Sequence, residues 1–539
     1  MKASPVPPLS GRMANRLPDR FNVATWFVDR LVEEGRGDHV AILCQDQSLT
    51  YGEVLRQVNR TGNVLRRLGV EIENRVLMIL PDCPQFAEVF FATIKIGAVP
   101  VPVNTLLTVR DYTYMLENTR AKVAVVHADL LDSVLPALKA ASYLRDVVVV
   151  PASSSHQIEA ASGGRLRMQP YETLIASESA ELTPADTCKD DVAFWLYTSG
   201  TTGSPSAAVH LHHDMVVCAE LFAGGILEIQ PEDRTFSVAK LFFAYGLGNA
   251  LYFPFSVGAT TILHPGRPEP ATVFEIVRRH RPTIFYGVPT SYAALLHETE
   301  QGANAEMSSV RIATSAGEPL PASIFRRWRD RFGVEILDGI GTTEVLHMFI
   351  ANRRGEVRPG SSGKPVSGYE VRVLDDEDRP VKAGEIGNLL VAGDSTCAAY
   401  WNRHEVTKAA IQGEWIRTRD KYHFDEDGYY WYEGRSDDML KVGGIWVSPT
   451  EVEQAVIEHP AVLECAVVGV SDADGLIRPK AVVVLKDPSK ATDELAREIQ
   501  AFVKDRLAPY KYPRIVEFAP ELPKTATGKI QRYKLRQAP

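Results

Sequence analysis

The alternation of short apolar runs with amphipathic stretches, sustained from Val40 to Phe332, restricts this chain more than any other feature. Val40-Ala-Ile-Leu43 and Val76-Leu-Met-Ile-Leu80 read as strands, while Phe21 to Glu34, Tyr51 to Leu68 and Pro84 to Ile96 carry apolar residues at helical spacing. Val99-Pro-Val-Pro-Val103, Val123-Ala-Val-Val126 and Val147-Val-Val-Val150 continue the strands. The pattern resumes through Thr260–Leu263, Val273–His280, Thr283–Tyr286, Ser291–His297, Ile312–Thr314 and Pro321–Phe332. Strands that alternate with helices predict a mainly parallel sheet covered on both faces.

A chain of 539 residues exceeds a single ordinary core. From about residue 365 the runs shorten, as in Gly368–Leu374 and Gly428–Glu433, which predicts a small β-rich unit completing the large domain. After the polar junction Gly434-Arg-Ser-Asp-Asp-Met439 the chain has an α+β pattern of its own. Helices are expected at Pro449–Glu458 and Thr492–Leu507, strands at Val462–Val470 and Lys480–Leu485. The predicted class is α/β: a flexible arm over 1–20, a large N-terminal domain of parallel-rich sheets layered with helices over 21–436, and a small α+β C-terminal domain over 437–539, hinged near 437.

Composition narrows the partners. Apolar content of 45% and charged content of 24% fit a soluble globular protein. A net charge of −9 argues against a nucleic-acid surface, so an anionic ligand must be held by local features. Cys44, Cys83, Cys188, Cys218, Cys397 and Cys465 are scattered without a C-x-x-C pair, which fits free thiols and argues against a zinc site or disulfide scaffold. Residues 1–20 have no apolar core of signal-peptide type, and no apolar run approaches the ~20 residues that span a bilayer. The expectation is a cytoplasmic protein, monomer or homodimer, without nucleic-acid or membrane partners.

Tyr197-Thr198-Ser199-Gly200-Thr201-Thr202-Gly203-Ser204-Pro205 crowds hydroxyls and glycines into a turn after the strand-like run Asp191–Leu196. Glycine lets the main chain approach a ligand, and hydroxyls with successive amides are donors suited to phosphate oxygens. The alternative is an ordinary Ser/Thr/Gly surface loop. The nucleoside-triphosphatase loop G-x-x-x-x-G-K-[ST] is excluded, because its lysine is absent. Asp338-Gly-Ile-Gly-Thr-Thr-Glu344 is a second such turn, ending in a carboxylate able to hold Mg²⁺ beside phosphates. Ser315-Ala-Gly-Glu-Pro319, Thr418-Arg-Asp420 with Gly434-Arg435, and Pro523-Lys-Thr-Ala-Thr-Gly-Lys529 complete the set. Singly, Asp420 or Lys529 reads equally well as a solvated surface charge; five motifs in this order do not read as chance.

Together the motifs closely resemble the acyl-adenylate-forming superfamily of acyl-CoA synthetases, non-ribosomal peptide adenylation domains and luciferases. The resemblance runs from about residue 20 to 536 and is most specific in YTSGTTG, GTTE, GRSDDMLKVGG and PKTATGK. Lys240–Asn249, Asp338–His347 and Ala508–Arg514 look most like the ligases of benzoate and 4-hydroxybenzoate. The resemblance implies an ATP-dependent acid–thiol ligase. ATP turns a poorly electrophilic carboxylate into an acyl-adenylate with loss of pyrophosphate, and coenzyme A then displaces AMP. The first step joins two anions, so stabilisation of charge should dominate it.

The resemblance also implies roles. Lys529 would bridge the carboxylate and the α-phosphate. Thr198, Ser199, Gly200, Thr201, Thr202 and Gly203 would hold the β- and γ-phosphates, Thr343 the α-phosphate and Glu344 the Mg²⁺. Gly317, Glu318 and Pro319 would line the adenine, with Asp338 at its exocyclic amine, and Asp420 and Arg435 would take the ribose. Asp437 would be the hinge of a mobile C-terminal domain, and Gly443 and Gly444 would wall the pantetheine tunnel.

Two positions depart from the family pattern. Related sequences usually carry two lysines where this chain has Ser204 and Ser206, and a glycine where it has Arg419. Arg419 is either a compensating cation or a solvent-facing side chain. Phe243-Ala244-Tyr245-Gly246 offers no carboxylate for an ammonium, which argues against an α-amino acid substrate. Ala244, Tyr245, Ile340, Gly341, His347 and Met348 are the expected wall of a flat slot for one aromatic ring. His347 there is either a partner of a ring hydroxyl or a buried, hydrogen-bonded histidine. The expected substrate is an aromatic carboxylic acid, benzoate or 4-hydroxybenzoate. The alternatives are an aryl-acid adenylating enzyme that loads a carrier protein and a non-catalytic sensor on the same fold.

Overall fold

The computed structural model describes residues 13–151, 166–198, 205–303, 305–436, 438–442, 445–471, 477–507, 511–524 and 530–536. Among these residues, the predicted parallel strands divide into two sheets. One has five parallel strands in the order Val99–Pro102, Arg75–Ile79, Val123–His127, Asp146–Val150 and Arg167–Pro170. The other has nine strands, of which the central six are parallel: Ile336–Gly341, Ile312–Ser315, Ile284–Gly287, Arg234–Ser237, Thr260–Leu263 and Val40–Cys44.

The valine-rich run Asp146–Val150 is buried at every position, as expected of a strand covered on both faces. Helix Tyr51–Arg67 starts where its sequence predicts. Thr50 Oγ1 accepts from the Glu53 amide at 3.2 Å, while Glu53 Oε2 accepts from the Thr50 amide at 2.8 Å, so two orphan donors of the first turn are satisfied reciprocally. The end of the expected flexible arm lies against the body instead. Leu17 packs on the main core, and the Ala14 amide donates to Asp394 Oδ2 at 3.0 Å.

The β-rich unit is an antiparallel sheet built on Glu370–Leu374, Gly387–Ala392, Trp415–Phe424 and Tyr430–Arg435. Beyond it, the sheet Val462–Ser471, Ile477–Leu485 and Ile515–Phe518 carries helices Pro449–Ile457 and Asp493–Lys504. This last unit closes a hydrophobic core of its own around Val452, Val456, Val467, Val483 and Ile499. No helix among the described residues is long and apolar enough to cross a membrane.

Candidate active site

The sequence motifs converge on a cleft of about 950 Å³. It opens at the carboxyl ends of the parallel strands Ile284–Gly287, Ile312–Ser315 and Ile336–Gly341, where open α/β sheets bind their ligands. The strands Trp415–Phe424 and Tyr430–Arg435 and the segment from Ile530 close it from the other side.

Thr198, Gly317, Glu318, Pro319, Asp338, Ile340, Gly341, Thr343, Glu344, Asp420 and Arg435 all line this cleft. Thr198 is the last residue of strand Val192–Thr198, and the returning strand starts at Ser206. Ser199, Gly200, Thr201, Thr202, Gly203, Asp437, Gly443, Gly444 and Lys529 lie outside the described residues. The described neighbour of Lys529 reaches the cleft: the Ile530 amide donates to Glu318 Oε1 at 3.0 Å, joining the C-terminal unit to the loop Ser315–Pro319.

Asp338 is set at the cleft wall by the pairing of Ser315 with it across parallel strands. Burial pushes its carboxyl up to about 8, against the pull of the Leu320 amide, which donates to Oδ2 at 3.3 Å. Oδ1 is buried and makes no hydrogen bond of standard geometry among the described residues. Once ionised, this carboxyl offers the cleft wall an acceptor that fits an exocyclic amine. Asp420 and Arg435 face each other across paired strands and form an ion pair at 3.2 Å.

Thr343–Val345 forms a single 3-10 turn, and two side chains that sequence reasoning missed fix it. Tyr400 donates its hydroxyl to Glu344 Oε1 at 2.6 Å. His210, fully buried, has Nε2 2.8 Å from the Thr343 carbonyl and Nδ1 2.7 Å from Asp214 Oδ2. A carbonyl can only accept, so Nε2 donates. Burial favours the neutral Asp214 carboxyl, but hydrogen bonds from His210 and His213 outweigh it and hold the group below its ordinary value. Asp214 thus holds the His210 ring from the side opposite Thr343. The spacing His210–Asp214 is visible in the sequence, but nothing there marks Thr343 as the third member.

No three His, Cys, Asp or Glu side chains gather as a metal cage among the described residues. A single carboxylate at Glu344 fits a Mg²⁺ ion held mainly by phosphates and water.

Of the residues expected around the ring, Ile340 and Gly341 line the cleft and the others lie behind it. Tyr245 hydrogen-bonds Thr314 Oγ1 at 2.6 Å and places its ring 5.4 Å from that of His347. Ala244 precedes it in the turn Ala244–Leu247, half-buried against the main core. His347 is buried between Phe222 and Phe253, with Nε2 3.0 Å from Asn249 Oδ1, a partner the sequence did not announce. Burial drives its pKa down to about 3, so the ring is neutral. Met348 turns into the core beneath Gly339, where a side-chain carbon would come within 2.7 Å of its sulfur. Gly341 is required by the bulged pairing with Met348, since a Cβ there would lie 2.5 Å from the His347 carbonyl.

The family model "AMP-binding enzyme" matches residues 29–401, and the model of the "AMP-binding enzyme C-terminal domain" matches residues 451–529. The chain belongs to the AMP-binding enzyme family. Among other AMP-binding enzymes it is 49% identical to the benzoate--CoA ligase of Thauera aromatica over 527 residues, 97% of both chains. It is 44% identical to the 4-hydroxybenzoate--CoA/benzoate--CoA ligase of Rhodopseudomonas palustris, over 96% of this chain and 94% of that one. The crystal structure of a benzoate CoA ligase from Burkholderia xenovorans LB400 superposes with a TM-score of 0.87 at 44% identity, covering 96% of this chain and all of the other. The α/β architecture expected from the alternating pattern is that of these AMP-binding enzymes.

Proposed function

We propose that this chain is an ATP-dependent aryl-CoA ligase, which activates benzoate or 4-hydroxybenzoate as the aryl-adenylate and passes the acyl group to coenzyme A with release of AMP and pyrophosphate. The observation that carries this reading is the likeness, over 97% of both chains, to an enzyme named benzoate--CoA ligase. The cleft supports it through its donor set.

In this reading Asp338 Oδ1 accepts from the adenine amine beside the loop Gly317–Pro319, and the Asp420–Arg435 pair orients the ribose. Thr343, fixed by His210, presents its hydroxyl and amide to the α-phosphate. Thr198 and the glycine-rich turn after it take the β- and γ-phosphates. Mg²⁺ at Glu344 supplies charge neutralisation on the phosphates. Lys529 spans the two anions that must meet. Its neighbour Ile530 is hydrogen-bonded to Glu318 at the cleft, an arrangement that suits the first step. Rotation of residues 437–539 about Asp437 would then exchange Lys529 for Gly443 and Gly444, whose missing side chains leave room for a thiol on a narrow arm. The substrate ring lies against Ile340 and Gly341, with Tyr245 and His347 behind.

A panel of aryl acids, assayed for pyrophosphate release with and without coenzyme A, tests this. Benzoate and 4-hydroxybenzoate should stand out, and free coenzyme A should yield the thioester. Adenylate formation without transfer to free coenzyme A would favour a carrier-protein loader.

A further inference from the structure

Between Lys189 and Arg234 the chain has no lysine or arginine, so the turn proposed to take the β- and γ-phosphates carries no cation of its own. A cation stands across the cleft instead. Arg419 lines the same cavity as Thr198, Thr343 and Glu344, and it is held there by an unusual backbone. Its φ is +65°, in the left-handed region that strains any residue with a Cβ other than Asn or Asp.

The strain has a local cause. Arg417 pairs with Leu390 and Lys421 with Asn388, so the three residues 418–420 bulge opposite Leu389 alone. Thr418 Oγ1 donates to the Leu389 carbonyl at 3.0 Å and accepts from the Asp420 amide at 3.1 Å, which ties both ends of the bulge. The Ser436 amide and hydroxyl both reach the Arg419 carbonyl, at 2.9 and 3.1 Å. Bulges of this kind re-aim a side chain beside an active site. The bulge sets Arg419 in the wall of the cavity that Tyr400 and Glu344 also line, and the Tyr400 hydroxyl donates to Glu344 Oε1 at 2.6 Å.

The geometry points to Arg419 as a binding residue for the β- and γ-phosphates of ATP, taking the place of a cation in the turn after Thr198. This rests on the aryl-CoA ligase reading above. A guanidinium suits the task, since it meets phosphate oxygens through two parallel donors.

The test compares ATP with AMP, measured by calorimetry in the presence of Mg²⁺, for the parent and for Arg419→Gly, Arg419→Gln and Arg419→Lys. Glycine is at ease at this φ, so Arg419→Gly removes the charge without adding backbone strain. For Arg419→Gly and Arg419→Gln, affinity for ATP should fall about five- to tenfold while affinity for AMP stays within twofold. Arg419→Lys should keep most of the ATP affinity, and adding Ser204→Lys to Arg419→Gly should restore part of it. Unchanged ATP affinity in Arg419→Gly, or equal weakening of ATP and AMP, would overturn the assignment. Aryl-acid-dependent pyrophosphate release by the parent tests the enzymatic reading separately, so either can fail without the other.

Discussion

His210 Nε2 lies 2.8 Å from the main-chain carbonyl of Thr343, the residue before the proposed magnesium ligand. The contact joins the strand after the glycine-rich turn to the 3-10 turn Thr343–Val345, so the two segments proposed to bind phosphate share one buried anchor. Loss of a buried hydrogen bond that leaves its partner unsatisfied costs about 1–3 kcal/mol.

His210→Ala should therefore slow adenylate formation about ten- to a hundredfold, while thioester formation from supplied aryl-adenylate stays near the parent rate. His210→Gln keeps one donor within reach of the Thr343 carbonyl and should recover part of the loss. Equal losses in both half-reactions would reduce His210 to a core residue.

A pH effect follows from Asp338. The unfolded carboxyl ionises near 4, whereas the buried one holds its proton to about 8. The folded state thus binds more protons between these limits, and this group's contribution to stability falls as pH rises from about 4 to about 8. Asparagine does not titrate there. Without ligand, Asp338→Asn should melt above the parent by a margin that widens across that window and is constant beyond it, while losing affinity for ATP. A margin independent of pH would contradict the burial argument.

The ring slot yields a test of substrate choice. With Nε2 of His347 donating to Asn249 Oδ1, Nδ1 is the acceptor of the neutral ring, beside the Tyr245 main chain. A para hydroxyl that donated to it would favour 4-hydroxybenzoate. His347→Leu should lower kcat/KM on 4-hydroxybenzoate about five- to a hundredfold relative to benzoate. An unchanged ratio would leave discrimination to the packing of Tyr245 and Ile340.

The two half-reactions should also separate genetically. Lys529→Ala is expected to abolish pyrophosphate release and spare thioester formation from supplied aryl-adenylate. Gly444→Leu is expected to do the reverse, because it fills the proposed tunnel. Loss of both activities in either variant would sink that division of labour.

Much of this was legible before any coordinates. The strands and helices fall within a few residues of where periodicity places them, as with Pro84–Lys95 and Ile312–Ser315, because burial on one or two faces writes itself into local sequence. The division into two parallel sheets was not legible. Val40–Cys44 pairs with Thr260–Leu263, and no local pattern records so distant a neighbour. Those residues expected at the nucleotide that are among the described ones line one cleft, and most sit at the end of a strand or on a tight turn, where glycines and hydroxyl-bearing residues leave a mark. The ring slot was harder. Whether a side chain after Gly341 faces ligand or core depends on the bulge there, which turns Met348 inward. Asn249 and His210 act through contacts with residues about a hundred positions away, so composition around them is silent.

The most direct test of the central claim incubates the purified protein with ATP, Mg²⁺, coenzyme A and either benzoate or 4-hydroxybenzoate, and follows all products by mass. The account predicts aroyl-CoA, AMP and pyrophosphate in equal amounts, each dependent on the aryl acid. Absence of acid-dependent pyrophosphate, or aryl-adenylate that free coenzyme A never consumes, would contradict it.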